Sequence, residues 1–422
     1  MASPATRARH PSNSGEGLPW FAWTTVGFLW FAFFLNYVDR QVVFSIFPVL
    51  RTDLGFSERQ LGLVGTTFIW VYSVCTPFSG RLADLTRRDR LIVSSLVLWS
   101  IATLGTGLST SAPVFLFWRA VMGLTESLYM PAALTTIAVL HSGATRSKAL
   151  AIHSSAQFAG IVAGGWYGGW TADHIGWRTG FTILAVTGVA YSIALRKVFH
   201  RVPQLPADGS AKALSKVILR SACYWTLALA FLAFCTMLWM LYAWLPSFIY
   251  DRYHLSMTDS SIAATLFLQI SCIAGVLAGG MLADWLVKRI RSGRFLIAGA
   301  SLIGAAPFAF LSLAGGSLAM TKLSTAAFGF FAGVFVANVF ATAYDVISKQ
   351  EYGLAAGILN LIGGLAGGAG ILAAGFWKAS LGMAALMKWQ AIGSCGCAVV
   401  LLFVAAMRFT ADHRAALGRE TA

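Results

Sequence analysis

The sequence predicts an all-α membrane protein of twelve transmembrane helices in two six-helix bundles. Three observations predict it. Long apolar runs recur from residue 19 to residue 407, a five-residue motif in the first half returns in the second, and basic residues crowd into alternate loops.

Of 422 residues, 57% are hydrophobic and 11% charged, against roughly 25% charged in a soluble domain. Mean hydropathy is +0.71. Each run approaches the ~20 apolar residues that a spanning helix needs. The first spans are expected at about 20–50, 61–81, 91–109, 112–140, 148–171 and 179–197. A polar linker bearing Pro203, Pro206, Asp208, Gly209 and Ser210 follows. Six more spans are expected at about 221–250, 260–286, 295–314, 323–346, 353–377 and 385–407. The organisation is then a tail (1–18), a six-helix bundle (19–198), a linker (199–220), a second bundle (221–408) and a tail (409–422). Met1–Gly17 is polar and bears Pro and Ser, and the apolar run after it is too long for a signal peptide, so no cleavable leader is expected.

The net charge of +15 would suit nucleic acid, but its distribution does not. With both termini inside, 22 of the 31 Lys and Arg fall in cytoplasmic segments, 7 in outer loops, and Arg40 and Arg119 within spans. That is the positive-inside bias of a multispanning protein. It orients the chain in a cell inner membrane with cytoplasmic termini and removes the reason to expect nucleic acid.

Cys75, Cys223, Cys235, Cys272, Cys395 and Cys397 all lie in apolar runs, where thiols pack well. Cys395-Gly-Cys397 lacks zinc or redox spacing and no His cluster accompanies it. No Walker loop, H-E-x-x-H or nucleophile elbow is present. The expectation is no catalytic residue, no metal, no cofactor and no enzyme.

Four ionisable residues interrupt the apolar spans: Asp39, Arg40, Arg119 and Glu126. An unpaired charge at mid-membrane costs roughly 2.5–3.5 kcal/mol on insertion scales, about 10–14 kcal/mol for four. That rivals the ~5–15 kcal/mol that holds a domain folded. Such charges persist only if they pair, face water or bind something. Arg119 and Glu126 are seven apart and project from one face of their helix, too far apart for an ideal pair within it. Each needs a partner on another helix, and span 1 offers Asp39 and Arg40. Those two diverge by about 100° and cannot face one point. One arginine is therefore assigned to an anionic substrate and the other to structural pairing, with Arg40 and Arg119 both candidates. A guanidinium holds a carboxylate, sulfonate or phosphate through two hydrogen bonds. Asp39 and Glu126 suit proton coupling, since burial and a neighbouring arginine act oppositely on a carboxylate and conformational change can alter the balance. The alternative is a closed structural network of all four.

Further polar or aromatic residues are candidates for the cavity wall: Asn36, Tyr37, Tyr129, Gln157, Trp244, Gln269 and Asn360, with Trp239 beside Trp244 as a second stacking surface. Asp345 is expected to pair with Lys349 at i+4, and His153 to sit at the membrane interface.

Gly80-Arg81-Leu82-Ala83-Asp84 ends the second span and Gly280-Met281-Leu282-Ala283-Asp284 the eighth, each before a basic loop. Parallel six-helix repeats around a central cavity are a known transporter architecture. The G-x-L-A-D motif with its basic loop resembles the signature of the major facilitator superfamily along the whole chain, although Leu85 and Arg87 stand where that family usually has a basic residue and a glycine. The resemblance implies conformational gating by Gly80, Asp84, Arg88, Gly280 and Asp284. Within the superfamily, Asn36-Tyr37-Val38-Asp39-Arg40 with Arg119-x6-Glu126 resembles the anion:cation symporters of sugar acids and other organic anions, and also the spinster-like lysolipid transporters. Trp244-Leu245-Pro246-Ser247 and the glycine-rich Gly357-Ile358-Leu359-Asn360 segment favour the first group. Proton-driven exporters of the superfamily carry a proline where Gly165 stands here, which weakens an export reading. The resemblance thus implies a monomeric carrier in the lipid bilayer that takes up a small organic anion with protons, or second to them sodium, by alternating access. A spinster-like transporter and a proton-coupled exporter are the alternatives.

Overall fold

The computed structural model describes residues 20–141, 143–199 and 216–417. The expected tail 1–18, most of the linker expected at 199–220, and residues 418–422 lie outside the described residues.

The described chain is helical from end to end. The first half holds α1 (Trp20–Ser45), α2 (Phe47–Asp53), α3 (Glu58–Leu85), α4 (Arg88–Gly107), α5 (Ala112–Ser127), α6 (Tyr129–Leu140), α7 (Ala144–His174) and α8 (Trp177–Phe199). After the short α9 (Lys216–Arg220) come α10 (Ala222–Tyr253), α11 (Met257–Val287), α12 (Gly293–Ala314), α13 (Leu318–Tyr344), α14 (Tyr352–Leu381) and α15 (Met383–Leu417). Serine caps begin many of them. Ser57 accepts from the amide of Gln60, whose side chain accepts from the amide of Ser57 in return, and Ser221, Ser256 and Ser317 cap α10, α11 and α13.

Ten helices among the described residues are long and apolar enough to cross a membrane, where the sequence predicts twelve. The expected span 112–140 is divided at Leu128 into helices of 16 and 12 residues. Pro131 explains the division, because it has no N–H to offer the carbonyl of Ser127. The expected span 148–171 lies in α7, which has 31 residues but carries Gln157, His153 and five glycines. It packs against α1 on one face and α11 on another, so much of its surface is covered by protein.

The pairings of the first half recur in the second. α1 packs on α7, α3 on α5 and α4 on α8, as α10 packs on α14, α11 on α13 and α12 on α15. The main contacts joining the halves are α3 with α14 and α7 with α11, and α10 also touches α1 and α2. Glycines permit these approaches. A Cβ at Gly164 would sit 2.7 Å from the Val38 carbonyl of α1, and one at Gly165 would sit 2.8 Å from Thr265 Oγ1 of α11. The α7 glycine run is a two-sided packing surface.

The halves meet on one face only. There Arg51 of α2 bonds Asp251 of α10 at 2.9 Å, and Lys378 of α14 bonds Glu58 of α3 at 2.7 Å. Asp173 of α7 accepts from the amides of Met257 (3.2 Å) and Thr258 (2.8 Å) at the start of α11. Along α3 and α14 the contact continues inward through Thr66 Oγ1 to the Gly368 carbonyl (2.8 Å) and Trp70 Nε1 to the Leu365 carbonyl (2.9 Å). It persists to Ser73 against Gly364. Beyond that point Val74, Phe78 and Leu85 of α3 are exposed, and Gly353 and Gly357 of α14 face open space. The molecule is closed on the face of the α2–α3 turn and open on the face that carries both G-x-L-A-D segments.

The open face accounts for the state of the gating candidates. A Cβ added at Gly80 or at Gly280 would meet nothing within 4 Å, and Asp84 and Asp284 make no ion pair to a described residue. Asp345 departs from the expected i+4 pairing: it bonds Arg294 of α12 at 2.7 Å, because the end of α13 is drawn against the start of α12. His153 is fully buried rather than interfacial, its ring stacked on Phe33 with centroids 4.7 Å apart.

The two kinds of glycine predict opposite responses. Gly164→Ala drives a methyl into the Val38 carbonyl and is expected to destabilise by about 1–3 kcal/mol. Gly396→Ala meets open space and is expected to be neutral or stabilising by up to ~1 kcal/mol through helix propensity. Thermal unfolding of the purified variants in detergent checks the contrast; equal melting temperatures would contradict the packing described.

Candidate functional site

Between the halves lies a cavity of about 170 Å³. Its first-half wall comes from Tyr37, Arg40, Gln41 and Phe44 of α1 and from Gln157 and Ile161 of α7. The opposing wall comes from α10 (Phe231, Phe234, Cys235, Leu238, Trp239, Tyr242), α13 (Val336, Val339, Phe340) and Asn360 of α14. Tyr37, Arg40, Gln41 and Phe44 follow 3.6-residue spacing and therefore share one helix face.

Arg40 is the cation of this wall. Its Nε donates to Glu126 Oε2 of α5 at 2.8 Å. Its guanidinium also lies over three rings, at 4.4 Å from the Tyr72 centroid, 4.9 Å from Tyr37 and 5.0 Å from Phe68. Such rings stabilise a buried cation. The second oxygen of Glu126 has no hydrogen-bond partner.

Asp39 and Arg119 lie behind the wall. Asp39 is buried, near Thr103, Glu126 and Arg119, and its Oδ1 has no hydrogen-bond partner. Arg119 is fully buried and makes no ion pair within 4.0 Å to a described residue. Its Nε donates weakly to the Val64 carbonyl (3.4 Å), its Nη1 approaches Met122 Sδ (2.9 Å), its guanidinium lies 4.7 Å from the Phe68 centroid, and its Nη2 is unpartnered. Asn36 is buried beside the Glu126 carboxylate, close enough for its amide to interact with it. The Gln41 amide nitrogen is orphaned too. Buried polar atoms are bonded in the great majority of cases, and here several without a protein partner lie close together.

Of the sequence candidates, Tyr37, Arg40, Gln157, Trp239 and Asn360 share the cavity, while Asp39, Arg119, Glu126 and Asn36 cluster behind it. Three others lie elsewhere. Tyr129 donates to the Leu29 carbonyl at 2.6 Å and meets His153 Nε2 at 3.2 Å, inside the first half. Trp244 is buried near the closed face, its Nε1 donating to the Ile371 carbonyl (3.1 Å) and Lys378 Nζ 4.3 Å above its ring. Gln269 donates to Tyr242 Oη at 3.0 Å and lines a separate lateral groove between α1, α7 and α11. Sequence reasoning missed Gln41, Tyr72 and most of the α10 and α13 wall. Aromatic residues are so common in these spans that nothing local distinguishes a wall residue from a lipid-facing one.

The sequence pattern of the Major Facilitator Superfamily matches residues 29–371. A Cupriavidus necator protein named "Probable sulfoacetate transporter" is 25% identical over 374 residues, which cover 81% of this chain and 84% of that protein. The hexuronate transporter of Bacillus subtilis is 24% identical, with 83% of this chain and 86% of that protein covered. Human protein spinster homolog 1 is 29% identical over 66% of this chain, and the chain spans only 58% of that relative's length. Among solved structures, a bacterial homolog of the human lysosomal transporter spinster, in an inward-facing and occupied conformation, superposes with a TM-score of 0.76 at 18% identity, covering 94% of this chain and 98% of that one. The chain is a multi-pass membrane transporter rather than an enzyme, and it belongs to the Major Facilitator Superfamily.

Proposed function

We propose that this chain is a twelve-span secondary transporter that takes up a small organic anion (a sugar acid, carboxylate or sulfonate) with protons by alternating access. One observation carries the reading: Arg40 lines the cavity while its Nε edge is held by Glu126. The span count takes α5 with α6 as one crossing and α7 as another. The named activities of the Cupriavidus and Bacillus relatives support an anion as cargo.

In this reading the terminal nitrogens of Arg40 bind the substrate anion and Arg119 serves structure, holding Asp39 and Glu126 in its field. A second anion on Arg40 competes with Glu126 for the guanidinium. Once displaced, Glu126 sits buried without a full partner, and protonation relieves the cost. Substrate and proton thereby load together. Asp39, which has no bonded cation, is the second candidate carrier. A monoanion with one proton crosses electroneutrally, whereas two protons move one positive charge inward and gain ~2.3 kcal/mol per 100 mV. The positive-inside distribution orients the open face, with both termini, toward the cytoplasm of an inner membrane. A spinster-like amphiphile carrier is the second reading, favoured by the largely apolar lateral groove between α1, α7 and α11.

Three experiments test these assignments. Ser210→Cys lies in the linker and is expected to resist an impermeant thiol reagent added outside intact cells; ready labelling reverses the orientation. Arg40→Lys keeps the charge but loses the planar fork, and is expected to lower anion affinity at least tenfold, while Arg119→Lys lowers melting temperature more than affinity. Binding by Arg40→Lys at the parent level refutes the arginine assignment.

Glu126→Gln mimics the protonated carboxyl permanently. Exchange of labelled for unlabelled substrate across proteoliposomes is expected to persist, because exchange needs no net proton movement. Accumulation driven by a pH gradient is expected to vanish. If accumulation survives, the coupling proton rides elsewhere and Asp39 is the residue to test; if level, binding and exchange all fall together, Glu126 is structural.

A further inference from the structure

The cavity is chemically two-sided, and this bears on which anion it takes. The first-half wall carries the charge and most of the polarity, through Tyr37, Arg40, Gln41 and Gln157, beside Phe44 and Ile161. The opposite wall is dominated by Phe231, Phe234, Leu238, Val336, Val339 and Phe340. The Tyr242 hydroxyl there accepts from the Gln269 amide at 3.0 Å and keeps its own hydrogen to donate, so this wall's polar groups are three, Tyr242, Asn360 and the indole of Trp239. The volume is about 170 Å³, close to the roughly 150 Å³ of an apolar cavity that holds one benzene ring. Arg40 is the one cationic residue on the wall, so one anionic group can be matched and a second cannot.

Resting on the anion reading above, we infer that the preferred cargo is a monoanion with a single apolar ring, an aryl or cycloalkyl carboxylate or sulfonate. Its head lies on Arg40 and its ring against α10 and α13. A sugar acid of similar size fits the volume but not the surface. Its hydroxyls would face phenyl, leucyl and valyl groups, and each hydroxyl stripped of water without a new partner loses about tenfold in affinity. A lysolipid has the right polarity, but most of its chain would extend beyond these lining residues.

Binding to the purified full-length protein in nanodiscs tests this, with benzoate, benzenesulfonate, cyclohexanecarboxylate, glucuronate and lysophosphatidylglycerol as probes in equilibrium competition. The ring monoanions are expected to bind at least tenfold more tightly than glucuronate, and Arg40→Lys to weaken them at least tenfold. Leu238→Asn is expected to narrow the benzoate-to-glucuronate ratio severalfold. Val336→Thr, nearly isosteric, is expected to narrow it in the same sense should Leu238→Asn fail to fold. Glucuronate or lysophosphatidylglycerol binding as tightly as benzoate overturns the ring preference, and if that binding still depends on Arg40 the anion reading survives. A benzoate-to-glucuronate ratio unchanged in both wall variants also overturns it. Failure of every probe to bind, or binding indifferent to Arg40→Lys, overturns both.

Discussion

The ion pair between Arg40 and Glu126 is the constraint on which the centre of this molecule depends. Both side chains are almost wholly buried, and their contact at 2.8 Å ties α1 to α5. Leaving either charge alone in such surroundings costs about 3–5 kcal/mol. The three rings around the guanidinium reduce that cost but do not replace a counter-ion. Whatever pulls Glu126 away must therefore supply a negative charge to Arg40 and a proton to the carboxylate. Under the function proposed above, binding and coupling share this one pair of side chains, which gives a carrier reason to keep so expensive an arrangement within its spans.

Most of the architecture was legible in the sequence because its signals are local. Apolar run length gives the spans, and the Gly80–Asp84 and Gly280–Asp284 motifs expose the repeat. The cost of a charge in hydrocarbon drew attention to Asp39, Arg40, Arg119 and Glu126 without any structure. Choosing between the two arginines was beyond it. That choice depends on helix rotation, which turns Arg40 to the cavity and buries Arg119 against Phe68 and Met122. The same limit applies to Tyr129, whose hydroxyl goes to a backbone carbonyl 100 residues away. The break at Leu128 within span 4 gave no signal for a different reason, since Pro131 sits inside an apolar run that hydropathy alone reads as continuous.

The second half contributes little charge to the cavity and the first half little apolar surface. Yet the helix pairings of the halves correspond one to one. The two halves thus share a backbone plan while their cavity walls differ, one bearing Arg40 and the glutamines and the other mostly apolar side chains. This division of labour arises from side chains alone and needs no change in helix placement.

The closed face joins a glycine-lined seam to a partly solvated electrostatic rim. Along the seam Gly62 and Gly375 bring the backbones of α3 and α14 together, and Gly364 and Gly368 admit the side chains of Ser73 and Trp70. At the rim, Arg51, Glu58, Asp251 and Lys378 are all partly solvated, where an ion pair is worth only ~0–1 kcal/mol. Such a latch is shallow and screened by mobile ions, with a reach of about 8 Å at physiological ionic strength. The salinity of the compartment beyond that face therefore becomes a determinant of the carrier's resting orientation, acting with no binding site of its own.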